Sequence, residues 1–347
     1  MAQSSQAFPQ FDPTPIFEHF RGAYATELLT AAVAHFGLFG QLARSPLSFT
    51  ELQTALALAE RPLNVLLTAL QAMGFVAKQG EKYTLTLIAR EHLVPGERFD
   101  VGNYISLAAQ SPGVLAMVQC LKTNKPLNSD TSEGAAFIYR DGQASAMEHT
   151  ESARHFTLAL SGRAKNVAPH LAANIDLSGA KCVLDVGGGT GIYAIEMVKR
   201  YPHLRAIVLD RPEVLRVAEE MVRDEGVTDR VELRPGDMFA DALPSGCDVV
   251  LLSNILHDWD VPECRDLIAH CVAALPRGGR LLIHDVFLND DLAGPLPLAL
   301  YSAALFTFTE GRAYSAGEYR NWMQESGLTI GQFVPTLVHC GVLTGTK

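Results

Sequence analysis

The most constraining feature of the sequence is a glycine-rich segment that directly follows a short apolar run. Residues 183–191 read Val-Leu-Asp-Val-Gly-Gly-Gly-Thr-Gly, and helical spacing begins near Ile192. Glycines at such a strand-to-helix turn let a ligand approach the backbone, while the helix N-terminus points amide groups at an anionic group. A dinucleotide fingerprint would need a third glycine where Ile192 stands, which disfavours nicotinamide cofactors. The segment predicts a nucleoside-type cofactor site, although alone it is also compatible with a tight turn.

The second half of the chain alternates short apolar runs with helical stretches. The runs are residues 182–186, 206–209, 231–233, 248–252 and 280–283. Strands that are apolar on both faces are typical of a parallel sheet covered by helices on both sides. We therefore predict a doubly wound, Rossmann-like α/β domain.

Two acidic residues stand where the second and third predicted strands end. Asp210 can accept hydrogen bonds from ribose hydroxyls, and Asp237 can accept one from an adenine amino group beside the apolar Met238. Taken singly, Asp210 also fits a helix N-cap ahead of Pro212, and Asp237 also fits a turn. Three such features on successive strand ends favour a nucleoside-type cofactor.

The first hundred residues predict a different, mainly helical fold. Apolar spacing indicates an amphipathic helix over Pro15–Arg44, and a capping box at Ser48–Glu51 opens a short helix that ends near Ala59. Arg61-Pro62 opens a helix that runs to about Met73, and alternation over residues 74–86 indicates a β-hairpin. This order of helix, helix and hairpin is typical of a winged helix.

The charge balance argues against nucleic acid as a partner. The chain has a formal net charge of −10, and residues 1–100 hold seven basic against nine acidic residues, whereas DNA binding depends on neutralising phosphates. We therefore expect this module to serve dimerisation or to wall a substrate site, with a ligand-sensing DNA-binding regulator as the less favoured alternative.

The cysteines and the apolar segments bear on the location of the protein. The six cysteines are scattered and lack metal-type spacing, and no apolar segment is long enough to cross a bilayer. We therefore predict a soluble, cytoplasmic protein without a metal site.

Three domains are predicted in total. Residues 1–100 form the winged-helix domain, residues 101–175 a helical connector that contributes to the substrate pocket, and residues 176–347 the cofactor-binding catalytic domain. The connector contains breakers around residues 128–134 and ends in one amphipathic helix over residues 151–173.

The pattern Asp185-x-Gly187-x-Gly189-x-Gly191 resembles that of S-adenosylmethionine-dependent methyltransferases. Over most of the chain, the sequence is similar to the small-molecule O-methyltransferases that include the plant caffeic acid and hydroxyindole enzymes and bacterial natural-product enzymes. The most specific element is Ser253-Asn-Ile-Leu-His-Asp-Trp-Asp260, and residues 337–345 match a last strand. The resemblance implies S-adenosylmethionine as cofactor, without a metal. The implied cofactor contacts are Asp185, Gly187, Gly189, Gly191, Asp210, Arg211, Asp237, Met238, Phe239 and Ser253.

The resemblance also implies the catalytic residues. In that family the histidine of the His-Asp-Trp motif is the general base, here His257, and flanking carboxylates orient it; Asp258 and Asp285 are the candidates. The position at which the family carries a second carboxylate holds Ala313. Three explanations stay open: Asp258 or Asp285 orients the base alone, Glu310 substitutes, or the reaction needs less base catalysis. A purely structural role for His257, packed on Trp259, is the remaining alternative.

The predicted function is methyl transfer to a hydroxyl of an aromatic or polyketide-like small molecule by a homodimer. Nitrogen or carbon methylation, or a non-methylating use of the same cofactor, is the alternative. Seven residues match positions that line the acceptor pocket in the family, although an apolar stripe at helical spacing is also typical of a core. These candidates are Phe156, Leu160, Arg163, Leu300, Ala303, Ala304 and Phe308.

Overall fold

The computed structural model describes residues 8–126 and 150–347. The chain divides into two compact units. The helical unit holds residues 18–126 and 288–315, and the sheet unit holds residues 8–17, 150–287 and 316–347. The breakers at 128–134 lie outside the described residues. The boundaries predicted near residues 100 and 175 stay predictions; the structure groups residues 288–315 with the helical unit.

The helical unit contains short helices and one small sheet. Its helices are α1 (Thr14–Arg21, shared with the sheet unit), α2 (Ala25–Thr30), α3 (Leu38–Arg44), α4 (Phe49–Leu56), α5 (Glu60–Ala72), α6 (Leu87–His92), α7 (Gly102–Ile105), α8 (Pro112–Thr123) and α13 (Leu296–Phe308). Its strands are β1 (Leu47–Ser48), β2 (Val76–Gln79), β3 (Lys82–Leu85) and β9 (Tyr314–Ser315). β3 lies between β1 and β2 and pairs antiparallel with both.

The prediction of one helix over Pro15–Arg44 is wrong. The segment forms α1, α2, a π-helical turn (Ala31–His35) and α3. Tyr24 has φ 73° and Gly37 has φ 57°, left-handed conformations that cannot continue an α-helix. Periodicity finds the apolar face but not these backbone breaks.

The helix, helix and hairpin predicted next are confirmed. Ser48 Oγ accepts from the Glu51 amide at 3.3 Å, and the Glu51 carboxylate accepts from the Ser48 amide at 2.7 Å, which completes the capping box. α4 ends at Leu56 rather than near Ala59, because Ala57 turns left-handed at φ 52°. The core of this unit includes Leu66 and Leu70 of α5 together with residues of α2, α3, α8 and α13.

The sheet unit contains the predicted parallel strands and two more at its far edge. The strands are β4 (Cys182–Val186), β5 (Arg205–Asp210), β6 (Val231–Pro235), β7 (Val249–Ser253), β8 (Arg280–Leu288), β10 (Thr329–Pro335) and β11 (Cys340–Thr346). The helices are α9 (Thr150–Asn174), α10 (Ile192–Arg200), α11 (Pro212–Asp224), α12 (Val261–Ala274) and α14 (Ala316–Glu325). The helix predicted over 151–173 is confirmed as α9. The last strand begins at Cys340 rather than Leu337, since Val338 and His339 are left-handed.

The order of strands fixes where a ligand can bind. The order is β10-β11-β8-β7-β4-β5-β6, with β4 to β8 parallel and β10 and β11 antiparallel. The chain leaves β4 toward β5 and β6 and then returns to β7 on the other side of β4. Such a reversal opens a crevice at the carboxyl ends of the strands, where doubly wound folds bind ligands. The predicted Rossmann-like class is therefore confirmed.

Among the described residues, no single helix meets the length and hydropathy of a membrane span, whereas the bent pair Gly102–Ala108 and Pro112–Thr123 meets them jointly.

Candidate active site

The glycine-rich loop after β4 packs against the loop after β7. Gly187 has φ 66°, a left-handed conformation that favours glycine. A Cβ at Gly187 would lie 2.5 Å from Ile255 Cδ1, and one at Gly188 would lie 2.8 Å from the Asp185 carboxylate. α10 begins directly after Gly191. Small residues in this loop therefore allow the close approach of two strand ends at the reversal point.

Asp210 closes β5 and binds this loop. Its Oδ2 accepts a hydrogen bond from the Gly189 amide at 2.8 Å, and its Oδ1 accepts one from the Arg211 amide at 2.7 Å. Burial raises the pKa of Asp210 to about 6, against the effect of both hydrogen bonds. The carboxylate is thus charged at neutral pH, and its remaining lone pairs can accept from ligand hydroxyls.

Asp185 lies in β4, fully buried. Within the described segments, neither of its carboxylate oxygens makes a hydrogen bond of normal geometry, and the Ala194 amide lowers its pKa less than burial raises it. Burial, and then the charge of Asp210, raises the pKa of Asp185 to about 8. Buried polar groups are nearly always satisfied, so this carboxyl group points to a ligand or water that would complete the site.

The end of β6 forms a turn beside an open cleft. Asp237 Oδ1 accepts from the Phe239 amide at 2.8 Å and from the Ala240 amide at 3.2 Å. The predicted turn role is therefore real, and the exposed carboxylate keeps acceptor capacity for a ligand. Met238 Sδ lies 3.8 Å from where a Cβ on Gly187 would be. The cleft is lined by Arg211, Pro212, Glu213, Pro235, Gly236, Asp237 and Asp241.

His257 follows β7 and lies between two carboxyl groups. His257 Nδ1 is 2.5 Å from Asp285 Oδ1, and His257 Nε2 is 3.7 Å from Asp258 Oδ1. All three side chains are buried. The hydrogen bond to Asp285 fixes the proton of the neutral ring on Nδ1, so the lone pair is on Nε2. This arrangement suits a general base whose conjugate acid is stabilised by Asp285.

The electrostatics of the three groups support this arrangement. Burial opposes a charged ring, but Asp285 and then Asp258 overcome it and raise the pKa of His257 above its usual value. Burial also opposes ionisation of Asp285, yet the charge and hydrogen bond of His257 keep the pKa of Asp285 below its usual value. Burial raises the pKa of Asp258 to about 7. Asp285 is therefore the carboxylate that pairs with His257.

Sequence reasoning missed Tyr319. The Tyr319 hydroxyl donates to Asp285 Oδ2 at 3.1 Å, from a fully buried position on α14. Nothing in the spacing shows that the hydroxyl meets a carboxylate on β8.

Ser253 belongs to a buried polar network. Its Oγ lies 2.8 Å from His284 Nδ1 and accepts from Asn254 Nδ2 at 3.1 Å. His284 Nε2 lies 3.1 Å from Thr336 Oγ1. Burial lowers the pKa of His284 to about 3, so that ring is neutral and structural. The contact of Ser253 with the cofactor stays a prediction.

The family model for the O-methyltransferase domain matches residues 130–329. The chain belongs to the O-methyltransferase family.

Relatives support this membership over the whole chain. The chain is 36% identical over 317 residues to a 3-hydroxy-5-methyl-1-naphthoate 3-O-methyltransferase of Streptomyces sahachiroi, covering 91% of this chain and 89% of the relative. The crystal structure of an O-methyltransferase family 2 protein from Planctomyces limnophilus, in complex with apigenin, is 47% identical with TM-score 0.89 and full coverage of both chains. The fold of human N-acetylserotonin methyltransferase in complex with SAM is also similar, at 22% identity and TM-score 0.61, over 100% of this chain and 99% of that one.

As a member of this family, the chain is an S-adenosylmethionine-dependent methyltransferase, and its residues fit that cofactor. The buried carboxyl group of Asp185 has unused capacity to accept a hydrogen bond from a ligand. The ionised Asp210 has lone pairs that can accept hydrogen bonds from ribose hydroxyls. Gly187 lets the loop pass close to Ile255, where a Cβ would clash at 2.5 Å. The individual contacts stay predictions.

The predicted acceptor contacts divide between the two units. On α9, Phe156 is half-buried, Leu160 is 54% exposed, and Arg163 donates to Cys340 Sγ at 2.8 Å. In the helical unit, Leu300 and Ala303 are part of the hydrophobic core. Ala304 is half-buried and Phe308 is exposed, while Ala313 is fully buried. Their role as acceptor contacts stays a prediction.

Proposed function

We propose that this methyltransferase transfers the methyl group to a hydroxyl of an aromatic or polyketide-like small molecule, with His257 as the general base. The observation that carries the proposal is the buried contact of His257 Nδ1 with Asp285 Oδ1, at 2.5 Å, near the reversal point of the sheet. The naphthoate named for the Streptomyces relative and the apigenin bound to the Planctomyces protein support an aromatic hydroxyl acceptor.

In this proposal, one set of residues binds the cofactor and another removes the hydroxyl proton. The bound cofactor supplies an electrophilic methyl group on a sulfonium sulfur. Asp185, the glycine-rich loop and Asp210 hold the cofactor, with Asp237, Met238 and Phe239 beside its base. His257 Nε2 takes the hydroxyl proton, and Asp285 stabilises the imidazolium that forms. Holding the reacting groups in line supplies the rest of the acceleration.

Assembly as a homodimer is part of the proposal. The helical unit exposes large apolar side chains that a second copy would cover: Phe20 is 81% exposed, Leu107 80% and Tyr104 78%. Exposed apolar surface of this kind is typical of protein interfaces. The six free cysteines and the family support activity in the reducing cytoplasm.

The test combines cofactor binding with product identification. Isothermal titration with S-adenosylmethionine and S-adenosylhomocysteine is run first, followed by reactions with 3-hydroxy-5-methyl-1-naphthoate and apigenin as acceptor probes. NMR of the product distinguishes an O-methyl group from an N- or C-methyl group on analogues that offer all three positions.

The variant His257→Ala should bind the cofactor normally and lose about 10²-fold or more in turnover, the usual scale of general-base catalysis. The exposed His203→Ala variant is the matched control. Cofactor binding with full turnover in His257→Ala, or methylation at nitrogen or carbon, would overturn the proposed base or the proposed acceptor group.

A further inference from the structure

Both oxygens of the Asp285 carboxylate are engaged, each by different donors. Oδ1 receives the His257 Nδ1 contact at 2.5 Å and the Val286 amide at 2.8 Å. Oδ2 receives the Tyr319 hydroxyl at 3.1 Å. The orientation of the carboxylate about its Cβ–Cγ bond is therefore set from both sides.

Tyr319 itself is held rigidly. Its ring packs edge-on against Phe287, at 5.5 Å between centroids, and against Trp322 at 5.4 Å. The residue is fully buried, so the hydroxyl has no bulk water with which to exchange its partner. A fixed aromatic ring delivers a hydrogen bond at a defined place without further loss of side-chain freedom.

Because the side chain of Asp285 is short, the hydrogen bond from Tyr319 matters for the orientation of its carboxylate. An aspartate has one methylene fewer than a glutamate and depends on the rotation of its carboxyl group to meet the imidazole. Asp285 is 1% exposed, and the charge and hydrogen bond of His257, together with the Val286 amide, keep its pKa low. The Tyr319 hydroxyl holds the other carboxylate oxygen in place.

We propose that Tyr319 is a positioning residue for methyl transfer: its hydroxyl fixes the Asp285 carboxylate in the orientation that holds His257 as a base. This inference rests on the proposed function of His257. Tyr319 acts through Asp285 and is not assigned any contact with cofactor or acceptor.

The test is the variant Tyr319→Phe, which keeps the ring and removes only the hydroxyl. Losing a hydrogen bond to a charged group should lower kcat roughly ten-fold, while KM for both substrates stays within about two-fold. Tyr201→Phe is the matched control, because its hydroxyl also donates to a single acceptor, the Ile175 carbonyl, at 2.6 Å. Unchanged kcat in Tyr319→Phe would overturn the proposal.

A spectroscopic measurement separates positioning from general stability. In protein with ¹⁵N-labelled histidine, the Nδ1 proton of His257 is identified by its loss in His257→Asn. We expect this resonance to broaden through faster exchange in Tyr319→Phe and to stay sharp in Tyr201→Phe. A sharp, unshifted resonance in Tyr319→Phe would contradict the proposal.

Two controls keep the outcomes distinct. If Tyr319→Phe folds poorly, 3-fluorotyrosine introduced at position 319 preserves the ring and changes the acidity of the hydroxyl. It should shift the His257 resonance, and an unchanged resonance would overturn the proposal. If His257→Ala keeps full activity, the proposed base is wrong; if His257→Ala is inactive but Tyr319→Phe equals wild type, only the role of Tyr319 is wrong.

Discussion

Replacing Asp285 with asparagine tests how the proposed base is activated. Asp285 Oδ1 lies 2.5 Å from His257 Nδ1, and both side chains are buried. Asparagine keeps the shape but lacks the charge that stabilises an imidazolium. Removing one member of a buried charge pair costs about 3–5 kcal/mol, and about 1.4 kcal/mol in a barrier changes a rate ten-fold. If that whole cost appears in the barrier, kcat of Asp285→Asn should fall by roughly 10²–10⁴-fold.

The second carboxyl group beside His257, that of Asp258, should contribute less than Asp285. Asp258 lies 3.7 Å from the other ring nitrogen, and burial holds its pKa at about 7, so it carries only part of a charge near neutral pH. Asp258→Asn should therefore lower kcat less than Asp285→Asn, and the exposed Asp176→Asn should change nothing. Steady-state assays at saturating cofactor measure all three. A larger loss in Asp258→Asn would refute the assignment of Asp285.

The pH dependence of kcat/KM provides a second test of Asp285→Asn. A base must be unprotonated, so activity falls as the pH drops through the pKa of His257, which Asp285 and Asp258 raise in the wild type. Without the charge of Asp285, burial has more influence on that pKa. The acid limb of kcat/KM in Asp285→Asn should therefore move to lower pH. A limb that stays in place would contradict this electrostatic account.

Four further predictions concern cofactor binding, stability and assembly. Affinity for S-adenosylmethionine should fall as pH drops below about 6, where Asp210 becomes protonated; titration showing the same Kd at pH 5 and 7.5 would contradict this. Asp185→Asn should stabilise the cofactor-free protein more at pH 8 than at pH 5, because the folded state keeps Asp185 protonated up to about pH 8 whereas the unfolded chain releases the proton near pH 4. Thermal unfolding of both proteins at the two pH values measures this stabilisation. A stability difference between Asp185→Asn and wild type that is the same at pH 5 and pH 8 would contradict the prediction. Gly187→Ala should weaken cofactor binding at least ten-fold by titration, whereas Gly226→Ala, at a similar φ of 68° but with open space around it, should bind normally; equal Kd values would show that the close approach is unimportant. Leu107→Asp should convert a dimer to monomer in sedimentation, and an unchanged mass would exclude this face as the interface.

Much of the sheet unit could be predicted because buried parallel strands leave continuous apolar runs. The same runs placed Asp210 and Asp237 at strand ends, where the structure has them. The wrong helix over Pro15–Arg44 has a physical cause: Tyr24 adopts a left-handed conformation that its residue type does not indicate. The sequence analysis also missed β10, because five of its seven residues are exposed and the strand therefore leaves no continuous apolar run.

The candidate site, too, could be predicted from the sequence only in part. The family resemblance indicated His257 as the base and Asp258 and Asp285 as candidate partners, but not which of the two pairs with it. That choice depends on β7 and β8 lying side by side, which brings Asp285 to 2.5 Å from the ring while Asp258 stays at 3.7 Å. Tyr319 reaches Asp285 from a helix 34 residues further along the chain, a contact that no local pattern encodes.

The most direct test of the central claim is a single-turnover measurement of methyl transfer across pH, in the wild type and in His257→Gln. With cofactor-loaded enzyme in excess over the acceptor, the rate constant reports the chemical step without product release. We predict that the wild-type rate constant rises with pH to a plateau above the pKa of His257. In His257→Gln it should be at least about 10²-fold lower and should lose that pH dependence. Equal rate constants with the same pH dependence in the two proteins would show that His257 is not the base.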